Sequence, residues 1–183
     1  MEEIPILGVV VGKGQVKMEQ EKIKAVKEWK TPTKIKDVES FLGFANFYRQ
    51  FIHNFSHTAK LLNKLKSKKK WKWEKEHQEA FEELKKKITS QPVLALPKRE
   101  GKFRVEMDTS GHAIGEVLSQ EQEGKWKPIA FLSRTMQPAE RNYEIYDKEL
   151  LVIVEALAKW RQYLLNAVET FEIWMDHENL KYF

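Results

Sequence analysis

Two segments in the second half of the chain share a pattern that limits the folds open to it. Phe103–Asp108 and Phe171–Asp176 both alternate apolar and polar residues, and both end on an aspartate. A period of two is typical of a β-strand with one buried face. If the strands are parallel neighbours, their terminal aspartates lie at the same edge of one sheet. Taken singly, each aspartate is better explained as a turn residue or a helix cap.

A helix is predicted over 139–165, between these two strands. With Tyr146 set at 0° and about 100° added per residue, five apolar residues fall within about 40° of it: Leu150, Ile153, Leu157, Trp160 and Leu164. Glu149 falls at about −60°, at the border of this apolar stripe. A buried carboxylate without a partner is costly. Glu149 therefore either reaches water or a lysine, or binds a metal ion shared with the two aspartates.

Asp108, Glu149 and Asp176 form the candidate metal and catalytic site. Three carboxylates suit a hard ion such as Mg²⁺ or Mn²⁺, and two such ions hydrolyse a phosphodiester without a side-chain nucleophile. The sequence has no convincing serine–histidine–aspartate arrangement. It has no cysteine either, which excludes disulfides, a thiolate zinc site and a cysteine nucleophile.

The order of predicted elements indicates an α/β fold. The elements are a hairpin over 6–18, helices over 19–29, 35–52, 56–66 and 75–89, a proline-containing connector over 90–97, strands over 102–107, 113–119 and 127–132, the helix over 139–165, a strand over 170–175, and the start of a helix over 177–183. The first 90 residues are thus mainly helical after an initial hairpin. The later β-β-β-α-β order predicts a sheet with a crossover helix and a parallel strand pair.

The positive charge of the chain is concentrated in one segment. The 183 residues carry a net charge of +5, and the stretch from Lys60 to Lys75 has eight lysines against one glutamate. Trp71 and Trp73 lie within it, and this mixture suits a phosphate backbone and stacked bases. The alternative is a solvated linker whose tryptophans pack on the core. No run approaches the roughly 20 apolar residues that cross a bilayer, so no membrane partner is expected.

The predicted helix over 35–52 has a polar side that is a candidate binding surface. Gly43, Asn46 and Gln50 lie away from its apolar stripe. A glycine within a helix costs about 1 kcal/mol relative to alanine, so close approach of another backbone is one hypothesis. Simple helix–helix packing at Gly43 is the other.

Several motifs, at matching spacing across essentially the whole chain, resemble one family. They are Phe41–Ile52 (FLGFANFYRQFI), Val105–Gly115 (VEMDTSGHAIG), Ala130–Arg134 (AFLSR), Asn142–Leu150 (NYEIYDKEL) and Trp174–Leu180 (WMDHENL). Together they resemble the Pol polyprotein of gypsy-type LTR retrotransposons. The resemblance implies the end of the reverse transcriptase palm over 1–18, a mostly helical thumb and connection over 19–97, and an RNase H-like mixed sheet with a crossover helix over 98–183, incomplete at its C-terminus.

The resemblance also implies a chemistry and its residues. Asp108, Glu149 and Asp176 match three of the four metal-binding acids of the RNase H family, which uses two Mg²⁺ or Mn²⁺ ions to cleave the RNA strand of an RNA–DNA hybrid. The family's thumb helix lies against duplex nucleic acid, whose minor groove a protein can read by shape. Residues assigned here to nucleic-acid binding are Gly43, Asn46, Gln50, Lys68, Lys69, Lys70, Trp71, Ser110, Arg134 and Asn142. The remainder of the Pol polyprotein is the expected protein partner, inside the cell, in a cytoplasmic particle or the nucleus.

Departures from the family pattern lower the expected activity. The chain begins after the Tyr-x-Asp-Asp region of the polymerase and stops at Phe183, before the last strand and helix of the family fold. The fourth acid is therefore missing, and Glu116 occupies a position where the family usually has a small residue. We expect weak or absent cleavage, with no primer extension. Two alternatives to a nuclease are a non-catalytic nucleic-acid-binding remnant and a domesticated fragment that acts through protein contacts.

Overall fold

The computed structural model describes residues 3–67, 70–90, 93–109 and 113–175. Its first half contains β1 (Ile4–Ile6), β2 (Val9–Gly12), β3 (Gln15–Met18), α1 (Gln20–Lys27), α2 (Ile35–Phe47), a 3₁₀ turn (Arg49–Phe51), α3 (Phe55–Leu65) and α4 (Lys75–Thr89). Its second half contains β4 (Leu94–Ala95), β5 (Phe103–Thr109), β6 (Ala113–Gln122), β7 (Lys125–Thr135), a 3₁₀ turn (Glu140–Asn142), α5 (Ile145–Lys159), α6 (Arg161–Leu164) and β8 (Glu172–Met175). The predicted helical start of 177–183 lies outside the described residues.

The strands of the described residues form two four-stranded sheets. In the first sheet, β1, β2 and β3 pair antiparallel, and β4 closes the sheet against β3. β4 comes from the segment predicted as a connector, so that prediction missed a short strand. The second sheet has the order β7-β6-β5-β8, in which β5 and β8 are parallel and the other pairs antiparallel. The predicted mixed α/β fold, with its crossover helix between β7 and β8, is confirmed.

Each half of the chain has its own apolar core. The helical half buries an aromatic centre in which Phe41 packs on Phe81 with ring centroids 4.6 Å apart. In the sheet half, alternation along β5 turns Phe103, Val105 and Met107 toward the buried face of α5. Between the two cores, α3 packs against β6 and β7. The helical segment therefore covers the face of the second sheet opposite to α5.

The structure corrects the predicted face of the long helix. The stripe placed Tyr146 and Leu150 inside, but they are 48% and 57% exposed. The buried residues of α5 are Glu149, Val152 and Ala156, which rotates its inner face by roughly 90° from the predicted stripe. Apolar residues occupy more than half of the helix circumference, so their mean direction does not define the face. Small side chains at 152 and 156 instead let the helix approach the sheet closely.

Two predicted helices are also shorter than expected. The helix predicted over 139–165 is divided into the 3₁₀ turn, α5 and α6, with Trp160 at the break between the last two. The helix predicted over 35–52 ends at Phe47. There the buried Tyr48 donates its hydroxyl to the carbonyl of Gly8 at 3.1 Å, and this contact ties the end of α2 to the first sheet.

A stacked arginine fastens β8 to the rest of the second sheet. The guanidinium of Arg104 lies between the rings of Trp126 and Trp174, with its central carbon 3.8 and 3.9 Å from their centroids. The same group forms an ion pair with Glu172 at 3.2 Å. A cation between two aromatic faces is stabilising, so strands β5, β7 and β8 are held in register at this end. Within the described part of the chain, no helix is long and apolar enough to cross a membrane.

Candidate functional site

Asp108 lies near the carboxyl end of β5 and contacts the helical half of the chain. The side-chain nitrogen of Asn54 donates a hydrogen bond to Asp108 Oδ2 at 3.0 Å. Register places Asp108 beside Gly115 on β6, and Gly115 beside Ser133 on β7. Asp108 is therefore part of a row across three strands that faces α3.

A small cavity of about 160 Å³ opens next to Asp108. Its lining residues are Asn54, His57, Asp108, Ala113, Ile114 and Ser133. Nearby, partial burial lowers the pKa of His53, and the charge of Lys87 adds to this effect, while Asp108 and Glu106 oppose it. The sequence-based prediction did not include Asn54 or its neighbours. The motif FIHNFS gave no signal of contact with a residue 54 positions later.

Glu149 is buried without a partner, which its predicted position at a helix border did not anticipate. It is 1% exposed, and neither carboxylate oxygen accepts a hydrogen bond. α5 holds it against the sheet, on the same helix face as Val152 and Ala156. Burying a carboxyl group without a hydrogen-bond partner or a counterion costs free energy of folding. Of the two interpretations left open by the sequence, escape to water is therefore wrong.

The predicted parallel pairing next to the site is confirmed. β5 and β8 run side by side with Met107 opposite Met175. Asp176 follows Met175 directly in the sequence but lies outside the described residues. Among the described residues, no third acidic or histidine side chain completes a metal-binding group with Asp108 and Glu149. The assignment of the three acids to one site stays a prediction.

Glu116 is a second buried carboxylate in this region. It lies on β6 beside Met107, it is 1% exposed, and both of its oxygens lack hydrogen-bond partners. Burial, and to a smaller extent the charge of Glu155, raise the pKa of Glu116 to about 8 against the opposing effect of Arg134. The sequence offered one signal, namely a glutamate where the family usually has a small residue.

Another acidic group has a structural explanation. Glu74, Glu76 and His77 are the one group in the described parts of the chain whose ligand atoms lie close enough together to hold an ion. Glu74 and His77, however, form the capping box at the start of α4, where the Glu74 N–H donates to His77 Nδ1 at 3.1 Å. Reciprocal bonds of this kind satisfy the free N–H groups of a helix end.

Two residues assigned to nucleic-acid binding line an open groove between α2 and α3. The groove has a volume of about 350 Å³ and is lined by Glu39, Leu42, Gly43, Asn46, Phe55, Asn63 and Lys66. A Cβ on Gly43 would meet no atom within 4 Å. Helix–helix packing at Gly43 is therefore wrong, and the space above it is free. Gln50 is exposed in the following 3₁₀ turn and is not part of the lining.

The lysine-rich segment is only partly described. Lys68 and Lys69 lie outside the described residues, and Lys70 is exposed. Trp71 stacks on Trp73 with centroids 5.7 Å apart, and Trp73 packs edge-on against Phe81 of the helical core. These contacts support the interpretation in which the tryptophans pack on the core.

The other residues assigned to nucleic-acid binding are Ser110, Arg134 and Asn142, and their surroundings differ. Ser110 lies outside the described residues, and Asn142 is exposed at the end of a 3₁₀ turn. Arg134 forms ion pairs with Glu140 and Glu155, each at 2.6 Å. Because these carboxylates already bind its guanidinium, a phosphate would have to compete with them.

Comparison with protein families identifies the sheet half. The model of the RNase H-like domain found in reverse transcriptase matches residues 73–173. The chain belongs to this family. The matched range contains Asp108 and Glu149, and it begins at α4, well before the boundary predicted at residue 98.

Curated relatives of this RNase H-like chain are retrotransposon polyproteins. The Tf2-3 and Tf2-4 transposon polyproteins of Schizosaccharomyces pombe are each 40% identical over 163 residues, which is 88% of this chain. The chain spans only 12% of the length of each of these relatives. The predicted relationship to an LTR retrotransposon Pol polyprotein is confirmed.

Solved structures share the fold. A foamy viral protease-reverse transcriptase in complex with an RNA/DNA hybrid has a TM-score of 0.77 at 25% identity, covering 96% of this chain and 24% of the viral chain. The same kind of enzyme in complex with dsDNA has a TM-score of 0.79 at 24% identity, covering 97% and 37%. The similarity extends through both the helical half and the sheet half.

Proposed function

We propose that this chain is the part of a retroelement polyprotein that binds an RNA–DNA hybrid and cleaves its RNA strand. The observation that carries the proposal is Glu149, a fully buried carboxylate without a partner, inside the range that matches the RNase H-like family. A protein that keeps an unpaired carboxylate in its interior sacrifices stability, which is expected where the group binds a cation for function.

The acids present fit divalent metal ions. Asp108, Glu149 and Asp176 would hold two ions of Mg²⁺ or Mn²⁺, because such ions prefer carboxylate oxygens. Support comes from the carboxyl oxygens of Glu149, which have no hydrogen-bond partner, and from the parallel pairing of β5, which carries Asp108, with β8, which ends one residue before Asp176 in the sequence. When bound, the ions supply an activated water and stabilise the leaving oxygen. The chain itself contributes the buried walls around Glu149 and the rigid strand that carries Asp108.

The larger protein supplies the setting for this activity. We propose that 1–18 is the end of the polymerase palm, 19–97 the thumb and connection, and 98–183 the nuclease domain, all within a longer polyprotein in the cytoplasm or nucleus. The two separate apolar cores support the division between the helical and sheet halves. The pairing of β4 with β3 links the connector back to the first strands.

Cleavage of a hybrid with labelled RNA, in Mg²⁺ and in Mn²⁺, tests the proposal. We expect slow cleavage by the chain and none above background by Asp108→Asn, Glu149→Gln or Asp176→Asn. Asp147→Asn is the matched control, because Asp147 is exposed on the first turn of α5. An uncleaved hybrid with the unchanged chain, or equal cleavage by Glu149→Gln, would contradict the proposal.

A stability measurement gives a second readout that does not need cleavage. With metal removed by chelation, Glu149→Gln is expected to raise the melting temperature, because it removes a buried carboxyl group that has no hydrogen-bond partner. Added Mn²⁺ is expected to stabilise the unchanged chain by mass action and to stabilise Glu149→Gln less. Equal stabilisation of both proteins would argue against Glu149 as a ligand.

The open groove at Gly43 favours a second candidate function, duplex binding without cleavage. Gly43→Leu fills free space on an exposed helix face, so it should fold while blocking the groove. We expect at least a tenfold loss in affinity for an RNA–DNA duplex, and a steep fall in binding with salt for the unchanged chain. Ser40→Leu, which adds the same side chain outside the groove on the same helix, is the control. Unchanged affinity in Gly43→Leu would exclude the groove as the binding surface.

A further inference from the structure

The helical half of the chain contributes a hydrogen bond to a candidate metal ligand in the sheet half. Asn54 donates from Nδ2 to Asp108 Oδ2 at 3.0 Å, although the two residues are 54 positions apart. Asn54 comes directly before α3, and Asp108 is one residue from the end of β5. The contact therefore joins the helical segment to the carboxylate at the strand end.

The side chain of Asn54 does not cap the helix that it precedes. An asparagine directly before a helix usually caps it, by accepting a hydrogen bond from a backbone N–H of the first turn. Asn54 makes no such side-chain bond to α3. Its backbone is left-handed, with φ of 53° and ψ of 36°, a conformation that asparagine tolerates better than most residues. The amide is thus directed away from the helix end and toward Asp108.

The sheet leaves space for this amide. Gly115 lies directly beside Asp108 on β6, and a Cβ placed on it would overlap Asn54 Oδ1. Any residue other than glycine at 115 would displace the asparagine side chain. The space left by Gly115 on β6 is therefore filled by the side-chain amide of Asn54 from the helical segment.

Neighbouring contacts fix the start of α3 in place. The Ser56 N–H donates to Ser133 Oγ at 2.9 Å in a buried position. Arg49 donates to the backbone carbonyl of Ser133 and, at 3.4 Å, to Ser56 Oγ. Asn54 lies between Arg49 and Ser56 in sequence, so its amide is held by a fixed backbone and not by a flexible loop.

We propose that Asn54 is a positioning residue for Asp108, so that the nuclease site is assembled from both halves of the chain. This inference rests on the proposed function. A neutral donor on Oδ2 fixes the plane of the carboxylate without cancelling its negative charge. Partners of this kind around metal ligands typically change affinity or activity by about 10- to 100-fold when they are removed.

Kinetics of hybrid cleavage test the role. Asn54→Gly keeps the left-handed backbone and removes the amide, and Asn54→Asp keeps the shape but removes the donor. We expect kcat to fall by about 10- to 100-fold in both variants, with KM for the hybrid nearly unchanged. Lys13→Gly is the matched control, because Lys13 is another non-glycine residue with a left-handed backbone, φ of 51°, far from Asp108 in sequence.

Two further readouts do not depend on cleavage. The side-chain amide resonance of Asn54 in a ¹⁵N spectrum should move in Asp108→Asn and should stay in place in Asp147→Asn. Gly115→Ala should lower the melting temperature, and most of this loss should be relieved in the double variant Asn54→Gly with Gly115→Ala. The double variant relieves the overlap because the asparagine side chain is gone.

Each outcome has a distinct meaning. Cleavage that Asp108→Asn abolishes but that proceeds at the normal rate in Asn54→Gly would overturn the positioning role and leave the proposed function standing. No cleavage by the unchanged chain would overturn both. An Asn54 resonance that does not respond to Asp108→Asn, or a Gly115→Ala loss that is the same with and without Asn54, would show that the contact itself does not form.

Discussion

Two single residues in this chain place carboxyl groups in the interior without hydrogen-bond partners. Glu116 and Glu149 are each 1% exposed, and none of their four carboxylate oxygens accepts a hydrogen bond. Glu149 is one of the proposed metal ligands, whereas Glu116 has no assigned role. The pKa of Glu116, raised to about 8 by burial, shows that its charged form is disfavoured in the folded protein. Its effect is therefore on stability and its pH dependence.

Glu116→Gln should flatten the dependence of stability on pH. The carboxyl binds its proton more tightly when folded, so its contribution to stability is complete below pH 4.5 and is lost as pH rises toward 8. Each pKa unit between the folded and unfolded states corresponds to about 1.4 kcal/mol. Between pH 5 and pH 8, the free energy of unfolding should therefore fall less in Glu116→Gln than in the unchanged chain, and the difference should be roughly 2 kcal/mol or more. Urea unfolding at several pH values measures this.

Glu121→Gln is the control for that series, because Glu121 is exposed on the same strand. Its pH dependence should match that of the unchanged chain. A Glu116→Gln variant with the same slope as Glu121→Gln would show that Glu116 is ionised at no cost, and that its burial does not control its titration.

At the scale of elements, α5 shows where a sequence pattern is ambiguous. Leu150 belongs to the predicted stripe but is 57% exposed, whereas Val152 is fully buried. An apolar residue on this helix is buried only if it faces the sheet, and the small residue Ala156 determines which side can approach. The position of the helix is therefore set by packing with β5, not by the mean direction of its apolar residues.

Paired alanine substitutions test this orientation. Val152→Ala should lower the free energy of unfolding by about 1 to 3 kcal/mol, because it leaves a cavity in the core. Leu150→Ala removes a larger side chain but should change stability by less than about 0.5 kcal/mol. Urea denaturation of both variants is the measurement. A larger loss of stability in Leu150→Ala than in Val152→Ala would show that the predicted stripe is the buried face of the helix.

The sequence allowed the elements to be predicted better than their contacts. The helix predicted over 75–89 and the strands that end near Asp108 and Asp176 follow from periodicity alone, since each has one clear apolar face. The contact of Asn54 with Asp108 did not follow, because nothing local to either residue encodes a partner 54 positions away. The strand β4 was missed for the same reason, since Leu94 and Ala95 are extended only because β3 pairs with them.

At the scale of the whole molecule, polar contacts join the helical and sheet halves. Ser133 is central to them, because its hydroxyl accepts from the Ser56 N–H and its carbonyl accepts from Arg49. The serine is 3% exposed, so water does not replace these bonds. The two halves should therefore unfold together as long as this junction is intact.

Ser133→Ala should weaken the junction. It leaves the buried Ser56 N–H without an acceptor, which costs about 1 to 3 kcal/mol, and it should separate the unfolding transitions of the two halves. Near-ultraviolet circular dichroism and tryptophan fluorescence, followed through the same urea titration, would report this separation. Ser67→Ala, at an exposed position after α3, should leave a single transition at the original midpoint.

The clamp of Arg104 between Trp126 and Trp174 also has a consequence for the order in which the molecule forms. β5 can pair with β6 as soon as the adjacent hairpin is made, but its other edge stays open until Glu172–Met175 has been synthesised. During that interval β5 exposes an unpaired backbone edge, which is a site for wrong strand pairing. The two tryptophans and the ion pair to Glu172 thus secure this edge of β5 only after β8 has been synthesised. Loss of either tryptophan ring should therefore favour aggregation during synthesis more than it destabilises the folded protein.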